Sequence, residues 1–546
     1  MKNFILLLAV SYCFTTVTFA KTLLNNNFIT PTSIEVVDSS VKVTAPINNT
    51  TSTKSNIQFN IMNNGMICQD TSNIPGLQWP RNSKNYYIFG GGLWFGAQKN
   101  VNGTLNKLCL LSYNPNSATS WFQPSIFTSV PDSASLQQTR VFRSTDFNSD
   151  GTPIQNGFAA NWLIWDTDPL ASLYVDGYFG NMVSNPTIRS KNTFPKGPAI
   201  VSDEDIVTVF DDQNTNRYEG GNIDALIKQG YPVNIQVIRR VFSWSSEEFK
   251  DAIIVEQKIT NIGKDTLYKC ALAPMFDYDI AAIALQQGAS NDKFRYLNED
   301  TTLNLALLWS DAAKGIEAGR GFGYMGIGFV RTPAVDNQGY LLSDNIHHNR
   351  GEQLGTTNIQ STTIVNDPGL NGASLYDFIT QNYIDKEANG ASDRRFYMST
   401  SGFNLLPHET ATFAYIICFA KPSVKPEADG SASDVQGVVN LFKKTRAFYD
   451  SGLNKNTLGV ESGEVTENGI QVYPNPTNSS LFVRLPDEYR DANVSLFTLL
   501  GNKVANIEQG STGASIDVSM LSAGMYVVRV ELQSGVNVTI PVAVMK

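Results

Sequence analysis

Between Ile57 and Pro426 the apolar residues fall in short runs with a period of two, separated by clusters of Gly, Asn and Asp. Val233, Ile235 and Val237 alternate with Asn234 and Gln236, and Ile253, Val255 and Ile259 keep the same period. Asn261-Ile262-Gly263-Lys264-Asp265 then turns the chain into Thr266 to Phe276. Successive side chains of a strand point to opposite faces, so this period with Gly-bearing turns specifies antiparallel β-structure. Val233 to Asp279 is predicted as three consecutive antiparallel strands. Met398 to Leu405, the turn Pro407-His408-Glu409 and Thr412 to Ala420 predict another hairpin. Two such sets imply a mainly β fold of one or two antiparallel β-sandwich units.

One segment breaks the pattern. From Ser433 to Tyr449, Val435, Val438, Val439, Phe442, Phe448 and Tyr449 lie near a 3.6-residue spacing, which predicts a helix over 433–449. Ser433 or Asp434 is its candidate cap and Gly452 its stop. Asn454 to Asn468 is polar, with Glu461, Glu464 and Glu467, and reads as a linker. The chain therefore divides into 1–20, a signal peptide; 21–56, an Asn-, Thr- and Ser-rich flexible leader or edge strand; 57–452, the β-rich cargo, in one or two sub-domains; 453–468, the linker; and 469–546, a C-terminal domain.

The N-terminus carries Lys2, an apolar run from Phe4 to Val10, and Thr18-Phe19-Ala20, which places signal-peptidase cleavage after Ala20 and entry through the general secretion machinery. A lipoprotein reading at Cys13 is opposed by the bulky Tyr12 before it. No later window reaches the ~20 apolar residues of a membrane-spanning helix. A net charge of -9 excludes nucleic acid as a partner, because phosphates need clustered Lys and Arg. Removing the signal leaves Cys68, Cys109, Cys270 and Cys418, which fit either two disulfides of open connectivity or buried free thiols. No two of them are close enough in sequence to suggest zinc.

The C-terminal segment contains, in order, Val472-Tyr473-Pro474-Asn475-Pro476-Thr477-Asn478, Gly501-Asn502-Lys503-Val504, and Leu521-Ser522-Ala523-Gly524-Met525-Tyr526. Leu481, Val483 and Leu485, and later Tyr526, Val528 and Val530, alternate as half-buried strands do. These motifs resemble the type A C-terminal sorting domain of type IX secretion substrates, which implies a small immunoglobulin-like β-sandwich. The resemblance implies recognition through Tyr473, Pro474, Asn475, Pro476, Gly501, Gly524, Tyr526 and Lys546. It also implies transport by the type IX outer-membrane translocon, then removal of the tail by a sortase-like enzyme with anchoring at the cell surface. Pro541 to Lys546 matches the family's apolar ending with a terminal basic residue loosely. The cargo resembles uncharacterised exported β-rich proteins at Phe89-Gly90-Gly91-Gly92-Leu93-Trp94, Arg240-Val241-Phe242-Ser243-Trp244 and Phe276-Asp277-Tyr278-Asp279-Ile280, and no activity comes with that resemblance.

Candidate chemistry is sparse. Asp146, Asn148 and Asp150, before Gly151, place oxygen ligands at alternate positions as a Ca2+ loop does. The twelfth position is Gly157 rather than Glu, so the loop is not an EF-hand, and it would need Asp166 or Asp168 to complete it. An ordinary polar turn explains the same residues. Asp203-Glu204-Asp205, Asp211-Asp212 and Asp277 with Asp279 are candidate paired carboxylates for a carbohydrate-active hydrolase, which requires two of them converging across an open groove. Gly321-Phe322-Gly323-Tyr324-Met325-Gly326 has the glycine spacing of a dinucleotide loop but precedes a strand-like run, so close backbone approach is the better reading. Trp79, Trp94, Trp121, Trp162, Trp165 and Tyr86-Tyr87 either stack on sugars or fill a core. The sequence thus points to a secreted cell-surface protein. Its cargo reads as a binding or structural component, with a surface glycan or polysaccharide as candidate ligand and a hydrolase as the competing reading.

Overall fold

The computed structural model describes residues 45–69, 75–125, 141–146, 201–218, 222–282, 289–297, 303–310, 323–342, 348, 350–363, 371–386, 390–421, 435–451 and 453 of the cargo. In the tail it describes 465–467, 470–473 and, with short breaks, 477–544. Every named strand pair is antiparallel.

Two large sheets form the cargo. The nine-stranded sheet runs Asp292–Tyr296, Leu305–Ser310, Tyr324–Arg331, Thr410–Ala420, Ala252–Asn261, Ile235–Ser243 and Glu204–Asp211, with Gln123–Pro124 and Phe142–Arg143 both on the last strand. The second sheet runs Asn358–Thr363, Arg394–Leu405, Leu267–Tyr278, Gly90–Val101 and Thr104–Leu111. A smaller five-stranded sheet begins with Asn49–Thr51, the edge strand of the leader region, paired with Gln58–Met62.

Both faces of the nine-stranded sheet are covered. Along Thr410–Ala420, Phe413, Tyr415, Ile417 and Phe419 enter the core shared with the second sheet, whereas Ala414, Ile416 and Cys418 enter a core on the outer face. That outer core is closed by the helix Gln436–Asp450 through Val438, Val439, Phe442, Phe448 and Tyr449. The predicted helix is therefore present, three residues late at its start. Its cap is Val435, with no side-chain cap hydrogen bond, and Ser433, Asp434 and Gly452 lie outside the described residues. The helix sits over Gly326 and Gly328, where an added Cβ would lie 2.8 Å from Val438 and 2.7 Å from Phe442. This supports the close-approach reading of the glycine-rich stretch. Two shorter helices, Ile223–Gln229 and Gly372–Ile379, were not legible from apolar spacing because each is barely two turns long. Their capping residues Asn222 and Asn371 were the available signal, each accepting from a first-turn N–H.

Both predicted strand-turn-strand units require correction. Ile235–Ser243 and Ala252–Asn261 do pair, but Leu267–Tyr278 leaves for the other sheet, where it pairs with Gly90–Val101 and Arg394–Leu405. Likewise Arg394–Leu405 and Thr410–Ala420 lie in different sheets. Both units are arches bridging the sandwich, and they stack. Asn261 N–H donates to Glu409 O, and His408 N–H donates to Asn261 O. The buried Asn261 amide donates to Asp265 O and Leu405 O and accepts from Gly263 N–H. A period of two reports a strand but not its partner, which is why an arch and a hairpin read alike.

The cysteines and aromatics resolve toward structure. Cys68, Cys109, Cys270 and Cys418 are free and buried, and burial pushes all four thiols above their ordinary range. Trp79, Trp94, Trp121 and Tyr87 are core residues, with Trp79 stacked on Phe419. Trp162 and Trp165 lie outside the described residues.

The tail forms its own core between two sheets. One runs Val465–Glu467, Ile470–Tyr473, Ser480–Arg484, Gly513–Asp517 and Ile507–Gly510; the other runs Asn493–Thr498, Gly524–Glu531 and Asn537–Val544. Leu481, Val483 and Ile516 of the first meet Leu496, Val528 and Ile540 of the second.

Candidate functional site

Of the predicted sorting residues, Tyr473 ends its strand 40% exposed and stacks on Phe482 at 6.0 Å. Gly524 opens the strand that carries Tyr526, whose hydroxyl donates to Ser522 O. Thr498 N–H donates to Asn502 O. Pro474, Asn475, Pro476, Gly501, Lys546 and Ala20 lie outside the described residues. So do Asn148, Asp150, Asp166 and Asp168 of the candidate Ca2+ loop. Asp146 ends the short helical turn Ser144–Asp146.

Most of the acid clusters are structural. Glu204 accepts from the Thr53 N–H and hydroxyl at 2.7 Å each, tying the leader region to the nine-stranded sheet. Asp205 accepts from Val201 N–H and Ser202 N–H at 2.8 Å, and burial pushes its carboxyl up to about 6. Asp211 accepts from Gln123 at 3.1 Å. Asp212 accepts from Val233, Asn234 and Ile235 N–H and from the Tyr218 hydroxyl. Asp203 accepts from Ser245 N–H and hydroxyl.

Asp277 and Asp279 do converge, and with a partner the sequence did not single out. The register pairs Asp277 with Arg395 and Tyr278 with Arg394, where the ladder ends, and Asp279 and Asp393 are the residues just beyond that last pair. The carboxylates of Asp277, Asp279 and Asp393 lie within 4.8 Å of one another. Asp292, wholly buried, is joined by a backbone bridge to Ser392 and accepts from Ile280 N–H at 3.2 Å and 3.4 Å. Burial, with Asp277 and Asp393 adding to it, raises Asp279 to about 7; Asp277 is raised to about 6. Only strand register reveals this group.

A second locus lies at the other end of the same strand, nine residues and about 30 Å away. Here Leu267–Tyr278 carries an extra residue relative to both neighbours, and Arg394–Leu405 carries its own, so pairing resumes in the original register beyond them. Lys269 (φ 46) and Gly402 (φ 106) are the positive-φ residues of these facing bulges. Positive φ costs little at Gly but is strained at Lys, and such strain persists only where neighbours over-determine it. They do so here. Lys269 N–H donates to the Asn404 amide oxygen, the Tyr376 hydroxyl donates to Lys269 O, and Asn404 N–H donates to Gly339 O.

The bulges form part of an open groove of about 770 Å³ lined by Tyr268, Lys269, Gln338, Tyr376, Asp377 and Asn404, among others. Bulges re-aim side chains and cluster beside functional sites. The two carboxylates on the groove are already engaged: Asp377 accepts from Lys107 at 2.6 Å, and Asp336 accepts from Gln338 and Tyr340 N–H at 2.9 Å each. Among the described residues, the two acids that converge from the predicted set, Asp277 and Asp279, are not on this groove.

Residues 471–542 match the family model described as the secretion system C-terminal sorting domain. The tail is therefore a type IX C-terminal sorting domain, and it supports secretion of the chain by that system, to the cell surface or beyond it. Comparison with curated proteins gave no match. Among solved structures, the chain is similar over 57% of its length to a polysaccharide lyase, at 10% identity and a TM-score of 0.15, and spans 34% of that protein. Over 69% of its length it is similar to an Escherichia coli K12 protein named as an aldose 1-epimerase, at 7% identity and a TM-score of 0.26, spanning 100% of it. Scores this low carry no weight for fold or function.

Proposed function

We propose that the cargo is a surface-displayed binding protein whose ligand is a polysaccharide, delivered by the sorting tail and anchored after a sortase-like enzyme removes that tail. The observation that carries the binding reading is the groove at the paired bulges. It is open and lined by two tyrosines, several amides and two lysines, which suit hydroxyl-rich ligands, and its strained backbone is held by side chains in a fixed shape. Among the described residues, the predicted acids that converge, Asp277 and Asp279, do not line this groove, which favours binding over hydrolysis there.

A glycan array probed with the full chain and with Tyr268→Ala tests the reading. Loss of an aromatic contact worth about 1 kcal/mol weakens binding about fivefold. Silence across polysaccharides, or equal binding by the variant, overturns it. Turnover of a bound glycan, lost in Asp377→Asn, would favour the hydrolase instead. Delivery is tested separately: without residues 469–546 the cargo accumulates in the periplasm, and unchanged surface levels refute the role of the tail.

A further inference from the structure

We propose that the ligand of the groove is an acidic polysaccharide and that Lys269 selects its charged sugar, a uronate or a sulfate ester; this rests on the binding reading given above. In an unbroken strand Tyr268 and Lys269 would point to opposite faces, yet both line the groove. The register shift at this point is the reason, because a bulge re-aims a side chain. One wall therefore carries an aromatic ring, on which a sugar ring can pack, next in the chain to an ammonium that can meet the sugar's anionic substituent.

Among the described residues, four charged side chains line the groove, and three of them have partners. Lys107 and Asp377 form an ion pair at 2.6 Å, and Asp336 accepts from the N–H groups of Gln338 and Tyr340. Lys269 is exposed, and its ammonium has no ion pair or hydrogen bond among the described residues. The Gln98 and Asn404 amides are engaged within the wall, donating to the Tyr376 hydroxyl and to Gln338 O. The backbone supplies a second observation. At Lys269 φ is 46°, a conformation that favours Gly, and the facing bulge does use Gly, at Gly402. Strain of this kind clusters at ligand clamps, where the side chain is needed. The Tyr376 hydroxyl on Lys269 O and the Asn404 amide oxygen on Lys269 N–H fix the point from which the ammonium reaches out, which lowers the ordering cost of binding.

Titration of the full chain with polygalacturonate and its methyl ester, and with dextran sulfate and dextran, tests the proposal and tells the two anionic groups apart. Wild type is expected to bind the charged member of one pair about fivefold more tightly, an advantage that shrinks as salt rises. The net charge of -9 opposes a non-specific hold on any polyanion, so the preference reports the groove. Lys269→Gly is expected to abolish the preference while melting no lower than wild type, because Gly relieves the strained φ. Lys269→Asn, which also tolerates positive φ, is expected to behave in the same way, and Lys269→Arg to keep the preference. Equal binding of the charged and uncharged members of both pairs, or a preference that survives in Lys269→Gly and Lys269→Asn, overturns the proposal and leaves the polysaccharide reading standing. Binding to no polysaccharide overturns both.

Discussion

Asn261 offers the sharpest test of how the cargo is held together, because one side chain bonds both stacked arches. Its amide donates to Asp265 O at 2.8 Å and Leu405 O at 3.0 Å and accepts from Gly263 N–H at 3.0 Å, with no exposed surface. Replacement by Ala removes three hydrogen bonds, each worth about 1 kcal/mol net, for a loss of about 3 kcal/mol. Replacement by Asp is worse despite its similar shape. It keeps the acceptor for Gly263 but turns an oxygen toward two carbonyl oxygens and buries a charge, for a loss of about 5 kcal/mol. With an unfolding entropy of about 2 cal/mol/K per residue over ~400 residues, these become drops of about 4 °C and 6 °C in the cargo transition. Differential scanning calorimetry of the full chain reads both. If Asn261→Asp melts within 1 °C of wild type, or above Asn261→Ala, the amide does not staple the arches and the reasoning fails.

Gly328→Val drives a side chain into Phe442 and the Asn304 carbonyl, so an overpacking loss of about 1–3 kcal/mol is expected, while Gly351→Ala, with nothing within 4 Å, leaves the melting temperature unchanged; equal effects would contradict the helix placement. Titration of thiols in the mature chain should find none reactive in the native state and four after denaturation, and fewer than four would reveal a disulfide. The acid groups set a pH trend in EDTA. Asp279 at about 7, and Asp277, Asp205 and Asp212 at about 6, lie above their unfolded values near 4, so the folded state binds the extra protons between about pH 4 and 7. Their stabilising contribution is complete below that window and is lost as pH rises through it. The melting temperature should therefore fall from pH 5 to pH 8 without divalent ions, and a flat or rising profile would refute the assignment.

The sequence alone determined the elements that depend on local order. A period of two between turn residues made the chain mainly β, a 3.6-residue spacing located the helix found at Gln436–Asp450, and a fixed order of short motifs identified the sorting tail, since each is written in neighbouring residues. What it left open is pairing. Leu267–Tyr278 carries both candidate sites, but its strand partners lie about 130 and 170 residues away, and alternation is the same whether the next strand returns beside it or crosses the sandwich. Only that crossing gathers Asp277, Asp279 and Asp393 and aligns the bulges at Lys269 and Gly402 to shape the groove. Tertiary structure decided these points because a site assembled across strands depends on register, and register is set by burial of both sheet faces at once rather than by any stretch of adjacent residues.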